Sequence, residues 1–250
     1  MNCAFVITSF GDRQKLVRDL FQNIRDDDEE IDIVLYTDRE HASYTNEKHH
    51  PIQIIVPSLW EGHRREHHRN GDYYPIQAII ELKEDYDVLC CLDDDMLIYH
   101  HDGFYAGFEM AYKFGIVLPA NPRLYVRYDS NGEDVSKEVR RSFNEMGIPG
   151  ALPAVNFSPM FVSTCSTMVR FADDYVKKFI KEPCRGPMAL WRSLWEMGIS
   201  PLIVPESWCV CGENAQHWKD YKVFHNKPAQ LMCLHTGHPE VRKVFNLEKS

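Results

Sequence analysis

The five residues from Val88 to Leu92 (VLCCL) carry no polar side chain. A short run of this kind is typical of a central strand in a parallel sheet, because helices cover both faces of such a strand. Two further runs, Cys3 to Thr8 and Ile31 to Tyr36, also predict strands, and the apolar residues between them recur at helical spacing. This order predicts an α/β fold, in which helices flank a mostly parallel central sheet of the Rossmann-like class.

Later segments continue the alternation of strands and helices. A helix is expected to begin near Pro75, after a polar segment from Gly62 to Asp72 that is interpreted as a solvated loop. Further along, Phe161 to Arg170 predicts a strand and Ala172 to Lys181 a helix. Residues 119–150 are richer in proline, asparagine, glycine and charge and show no core of their own. They are therefore interpreted as an insertion in a single domain that spans residues 1–250.

Composition excludes several classes of protein. With 250 residues, 44% hydrophobic and 26% charged, the chain has the make-up of a globular domain. A net charge of -9 disfavours a surface that binds nucleic acid. No run of about 20 apolar residues and no signal peptide is present, and the eight cysteines include no C-x-x-C pair. We therefore expect a cytoplasmic protein without a membrane span.

Three aspartates, Asp93, Asp94 and Asp95, follow the apolar run directly. Like charges this close raise each other's pKa, and a bound divalent cation removes that cost. The carboxyl ends of the strands are also where open α/β sheets bind ligands. Because side chains alternate along an extended chain, Asp93 and Asp95 should share one side and could bind Mg²⁺ or Mn²⁺ together. The alternative is a turn and helix cap without a metal.

An apolar strand followed by Asp-x-Asp resembles the GT-A class of nucleotide-sugar glycosyltransferases. The stretch Arg69-Asn70-Gly71 is similar to the Ala-Arg-Asn-x-Gly motif of the family 2 enzymes. The segment Leu234-His235-Thr236-Gly237-His238 resembles the late histidine loop of several metal-dependent GT-A families. The resemblance implies a metal, Mn²⁺ or Mg²⁺, held by Asp93, Asp95 and His235, with Asp95 catalytic through that metal. It also implies a set of residues that contact the nucleotide sugar: Thr8, Ser9, Phe10, Asp38, Arg69, Asn70, Asp93 and Asp94. Residues 1–118 would be the donor-binding half, and residues 119–250 would be the acceptor-side half, whose tail closes over the diphosphate.

The chain departs from the family at the expected catalytic base. Pro187 and Met188 stand where inverting members carry Glu-Asp. The stereochemistry is therefore undecided, and Glu206 and Glu213 are weak candidates for the base. Among the tryptophans, helical spacing predicts core positions for Trp191 and Trp195, whereas Trp208 and Trp218 are more plausible acceptor contacts.

The function that the resemblance implies is transfer of a sugar from a nucleoside diphosphate sugar to an acceptor hydroxyl. The acceptor could be a glycan, a protein or another hydroxyl compound, and nucleic acid is disfavoured by the acidic balance. One alternative is a nucleotidyltransferase that makes a nucleotide sugar, although the glycine-rich phosphate loop of that class is missing after the first strand. Another is a degenerate, non-catalytic module that binds a nucleotide sugar.

Overall fold

A seven-stranded sheet organises the protein. The computed structural model describes residues 1–11, 13–38, 50–63, 65–121, 144–145, 147–148, 152–212, 214–215, 217–218 and 231–247. The strands of the sheet are β1 (Cys3–Ser9), β2 (Asp32–Thr37), β3 (Ile52–Ile55), β4 (Val88–Asp93), β6 (Ile116–Pro119), β7 (Met160–Ser163) and β8 (Leu202–Val204). Their order in space is β3-β2-β1-β4-β7-β6-β8. Only β7 runs antiparallel to its neighbours, so the prediction of an α/β fold with a mostly parallel sheet is confirmed.

Helices cover both faces of this sheet. They are α1 (Gln14–Arg25), α2 (Glu66–Glu81), α3 (His101–Phe114), α4 (Ser166–Lys181) and α5 (Gly186–Glu196). A further helix, α6 (Pro239–Phe245), has its buried residue, Val241, in a separate apolar cluster. Alternation along β1 shows the two layers: Ala4 and Val6 belong to the core under α2, α4 and α5, whereas Phe5 and Ile7 belong to the core under α1 and α3. All four side chains are fully buried, as expected of a central strand.

A two-stranded antiparallel sheet lies beyond the carboxyl end of β4. It pairs β5 (Met96–Ile98) with β9 (Cys233–His235), and Met96 stands opposite His235. This pairing places β9, from near the end of the chain, beside the strand that follows the aspartate triplet. A third apolar cluster, which includes Val210, Leu234 and Val241, supports the small sheet. The end of β4 and the end of β9 are thereby held side by side.

Two sequence-based boundaries are wrong. Helix α2 begins at Glu66, and Pro75 lies inside it with its neighbours Tyr74 and Ile76 buried. Burial of that face outweighs the hydrogen bond that the proline cannot donate. The strand expected over 161–170 ends at Ser163, because residues 168 to 179 repeat at helical spacing and bury one face of α4. Most of the insertion expected at 119–150, and residues 219–230 of the tail, lie outside the described residues.

Candidate metal centre

Asp93, Asp95 and His235 converge at the carboxyl edge of the large sheet. Asp93 is the last residue of β4, and β1 places Thr8 beside it in register. One metal-ligating atom from each of the three residues lies within 4.8 Å of the other two. His235 Nε2 stands 2.9 Å from Asp95 Oδ1 and 3.6 Å from Asp93 Oδ2. Asp93 and Asp95 therefore share a side, as expected, but the reason is different: Asp94 and Asp95 form the turn between β4 and β5, not a continuation of the extended strand.

The turn that follows His235 holds the backbone of Asp95. The Thr236 N–H and the Thr236 hydroxyl both donate to the Asp95 carbonyl oxygen, at 2.7 and 2.6 Å. The next residue, Gly237, lies so close that a Cβ atom built on it would stand 2.1 Å from Asp95 Oδ2. Only a glycine leaves room for the Asp95 carboxylate at this point. Asp95 is thus fixed by both its main chain and its side chain.

Arg13, in the loop between β1 and α1, contacts two aspartates of the triplet. Its Nη2 atom lies 2.7 Å from Asp95 Oδ2 and 2.8 Å from Asp94 Oδ1. Asp94 is 1% exposed, and its Oδ2 accepts a hydrogen bond of 2.8 Å from the Ser9 hydroxyl. Arg13 therefore neutralises a buried carboxylate and orients Asp95 toward His235.

Charge is strongly coupled within this cluster. Burial alone would lower the pKa of His235, but its hydrogen bonds to Asp93 and Asp95 raise that pKa to about 10. Burial would likewise raise the pKa of Asp95, but His235 and Arg13 outweigh it and hold that pKa below its usual range. Burial raises the pKa of Asp94 to about 7, against the opposing charge of Arg13. The cluster thus keeps Arg13 and a protonated His235 beside the ionised Asp95 carboxylate.

The donor set suits a hard divalent cation. Two carboxylates and one imidazole are ligands that Mn²⁺ and Mg²⁺ accept, with open positions left for a substrate. The imidazole and carboxylate atoms that stand 2.9 Å apart need a proton or a metal ion between them, because each presents a lone pair once deprotonated. The residues present therefore fit the expected metal.

Sequence reasoning missed two members of the site, Arg13 and His67. The polar pattern around His67 predicts a solvated loop, but this residue lies in the first turn of α2 with its Nε2 against an Arg13 guanidinium nitrogen. Burial, together with the charge of Arg13, lowers the pKa of His67 to about 4. A signal for Arg13 was present in the sequence, because it follows the carboxyl end of β1, where ligand-binding loops lie.

The residues expected to contact the nucleotide sugar differ in exposure. Thr8, Ser9 and Phe10 are each less than 5% exposed, and Phe10 stacks on Tyr74 with ring centroids 5.3 Å apart. Asn70 is fully buried and ties α2 to the preceding loop through Ser58 and Leu59. Partly exposed positions are Arg69 and Asp38, and Asp38 accepts a hydrogen bond from the Gly11 N–H.

Glu206 and Glu213 are the sequence-based candidates for the catalytic base. Glu206 opens a 3-10 helix (Glu206–Trp208) after β8, and its side chain makes no hydrogen bond or ion pair with any described residue of the metal centre. Glu213 lies outside the described residues.

The tryptophan assignments are wrong in three of four cases. Trp208 and Trp218 are 7% and 9% exposed, whereas Trp195 is 40% exposed. Trp208 packs on Phe104 and Phe161 under the sheet, because the chain after β8 turns inward. Trp191 is buried as predicted.

Comparison with known proteins shows the fold. No family model matches the chain, and no curated protein matches it. A solved structure described as the apo form of WbbM, a bifunctional glycosyltransferase, matches 99% of the chain with a TM-score of 0.60 and 11% sequence identity. The chain spans 52% of the length of that protein. No helix within the described ranges is long and apolar enough to cross a membrane. The chain thus has a fold found in a glycosyltransferase.

Proposed function

We propose that the protein is a metal-dependent glycosyltransferase, which transfers a sugar from a nucleoside diphosphate sugar to an acceptor hydroxyl. The observation that carries the proposal is the convergence of Asp93, Asp95 and His235 at the carboxyl edge of the sheet. In open α/β sheets this edge is where ligands bind. The shared fold of a known glycosyltransferase supports the same assignment.

The three converging residues would hold Mn²⁺ or Mg²⁺. When bound, such an ion supplies Lewis acidity that neutralises negative charge on the diphosphate of the donor. Asp93 is the most exposed of the three, with 41% of its side chain accessible, and is suited to face the donor. Asp95 and His235 are more enclosed, and Arg13 keeps Asp95 ionised and oriented.

The domain organisation and the nucleotide contacts form part of the same proposal. We take residues 1–250 as a single domain that acts in the cytoplasm, where its eight free thiols would stay reduced. The acceptor would enter from the side of residues 119–250. Among the nucleotide contacts, Arg69 and Asp38 are the partly exposed members of the predicted set. The buried members, such as Ser9 and Asn70, would act by shaping the loops that carry the exposed ones.

A thermal-shift screen tests the proposal. UDP-, GDP- and CMP-linked sugars are added with and without Mn²⁺, and a donor that binds the folded state raises the unfolding temperature. Hydrolysis of the same donors, followed as nucleotide release, separates an enzyme from a module that only binds.

The Asp95→Ala variant should keep its fold and lose both the Mn²⁺-dependent shift and the hydrolysis. Asp85→Asn, an exposed residue near the amino end of β4, is the matched control and should behave like the wild type. A folded Asp95→Ala protein with full, metal-independent activity would contradict the proposal.

A further inference from the structure

Asp72 brings a carboxylate to the beginning of helix α5. The side chain extends from α2, and its Oδ2 accepts a hydrogen bond of 2.9 Å from the Gly186 N–H. The contact is tight, because a Cβ atom on Gly186 would stand 2.3 Å from Asp72 Oδ1. The first turn of α5 itself contains no acidic residue, so the carboxylate at this point comes from a different part of the chain.

A series of close contacts connects Asp72 to the metal centre. The same Cβ position on Gly186 would stand 2.9 Å from the ring of Phe157, and the next residue, Ser158, accepts a hydrogen bond of 2.9 Å from the Asp93 N–H. Contacts thus lead from Asp72 through residues 186 and 157–158 to the end of β4.

The surroundings of Asp72 support a role as a proton acceptor. Burial raises the pKa of Asp72 to about 7, Arg185 opposes that rise, and the charge of Asp93 adds to it. No described cation lies within ion-pair distance of the Asp72 carboxylate, so the group is not committed to a salt bridge with the part of the chain that the structure describes.

Given the proposed glycosyl transfer, we infer that Asp72 is the catalytic base that accepts the proton of the acceptor hydroxyl. The hydroxyl oxygen forms a bond to the anomeric carbon of the donor, and its proton passes to the Asp72 carboxylate. The bond between that carbon and the diphosphate oxygen breaks, and the nucleoside diphosphate leaves with the electron pair. Direct displacement inverts the anomeric configuration.

If Asp72 only capped α5, replacing it with asparagine would have a different effect from the one expected for a catalytic base. In the Asp72→Asn variant the new amide oxygen can still accept the hydrogen bond from Gly186, so the variant keeps the cap and loses the base. An anionic nucleophile needs no proton removed, so azide should react with the donor whether or not the base is present. Comparison of water and azide as acceptors therefore separates the two roles.

The experiment uses the full chain with Mn²⁺ and four donors: UDP-glucose, UDP-galactose, UDP-N-acetylglucosamine and GDP-mannose. Nucleotide release is measured in water and with added azide, for the wild type, Asp72→Asn and the control Asp173→Asn, an exposed residue of α4. Hydrolysis by Asp72→Asn should fall by at least about 100-fold, with glycosyl azide formation close to that of the wild type. The thermal shift caused by UDP or GDP with Mn²⁺ should be unchanged, which shows that the donor site is intact.

Several results would overturn the role of Asp72. One is hydrolysis by Asp72→Asn at the wild-type rate. Another is a loss of the azide reaction in Asp72→Asn as large as the loss of the water reaction. A glycosyl azide of retained configuration from the wild type would also overturn it, and this measurement does not depend on how the variant folds. A wild type that binds donors while Asp72→Asn hydrolyses them normally removes only this inference. A wild type that neither binds nor hydrolyses any donor removes the proposed function itself.

Discussion

The close approach of Gly237 to Asp95 gives a sharp test of the metal centre. The change is Gly237→Ala, which adds one methyl group in the turn after β9. That Cβ atom would stand 2.1 Å from Asp95 Oδ2, whereas Cβ atoms in proteins essentially never approach a non-bonded heavy atom closer than 3.0 Å. The carboxylate or the turn must therefore move by about 0.9 Å, the difference between these two distances.

The displaced oxygen is the one that Arg13 holds at 2.7 Å, so a movement of this size takes Asp95 out of hydrogen-bond range or out of line with His235. Changes in the groups that orient metal ligands reduce metal affinity by about 10- to 100-fold. We expect the Mn²⁺ affinity of Gly237→Ala to fall by that factor, while the large sheet stays folded.

Isothermal titration with Mn²⁺ measures the affinity, and circular dichroism checks the fold. The matched control is Gly71→Ala, because a Cβ atom there meets only Thr8 Oγ1, at an ordinary 3.8 Å. That variant should bind Mn²⁺ like the wild type and be more stable, because alanine is favoured over glycine in a helix. Wild-type Mn²⁺ affinity in a folded Gly237→Ala protein would refute the assignment of Asp95 as a ligand.

Three further predictions concern charge and packing. In metal-free protein, the raised pKa of His235 means that the stabilisation from its positive charge is fully present below pH 6.5 and is lost as the pH rises toward about 10. Urea unfolding across that range should show a fall in the free energy of unfolding for the wild type but not for His235→Gln. Arg13→Gln should lower the free energy of unfolding by about 3 kcal/mol in urea unfolding, because it leaves the buried Asp94 carboxylate without its cation. Asp94→Asn added to Arg13→Gln should restore part of that free energy. Gly107→Ala should cost about 1–3 kcal/mol in urea unfolding, because the new Cβ atom would stand 2.5 Å from the ring of Phe161; an unchanged midpoint would show that this contact is not tight.

The fold was predictable because its central strands are unbroken apolar runs. The stretch from Val88 to Leu92 is buried on both faces, so its composition alone identifies it as central. Helix α2 was harder to delimit, because its first turn, from Glu66, is polar. That turn faces the site rather than a core, and hydrophobic periodicity carries no signal for such a face.

The candidate site was predictable where local geometry decides it. Asp93 and Asp95 are grouped because both belong to the short segment that ends β4 and turns into β5, so their proximity could be predicted although the turn was not. The contact between Arg13 and Asp95 depends on where the loop after β1 crosses the sheet edge, and no local pattern encodes that path. The same holds for Trp208, whose burial against Phe161 is set by the turn of the chain after β8.

The pairing of β5 with β9 gives the site an order of assembly. The hydrogen bond from Thr236 to Asp95 joins residues 141 positions apart, so the aspartates leave the ribosome long before their histidine partner. Until β9 has docked beside β5, the acidic triplet lacks His235, and the three converging side chains come together only at that step. Metal binding by the proposed set of three ligands would therefore require the docking of β9.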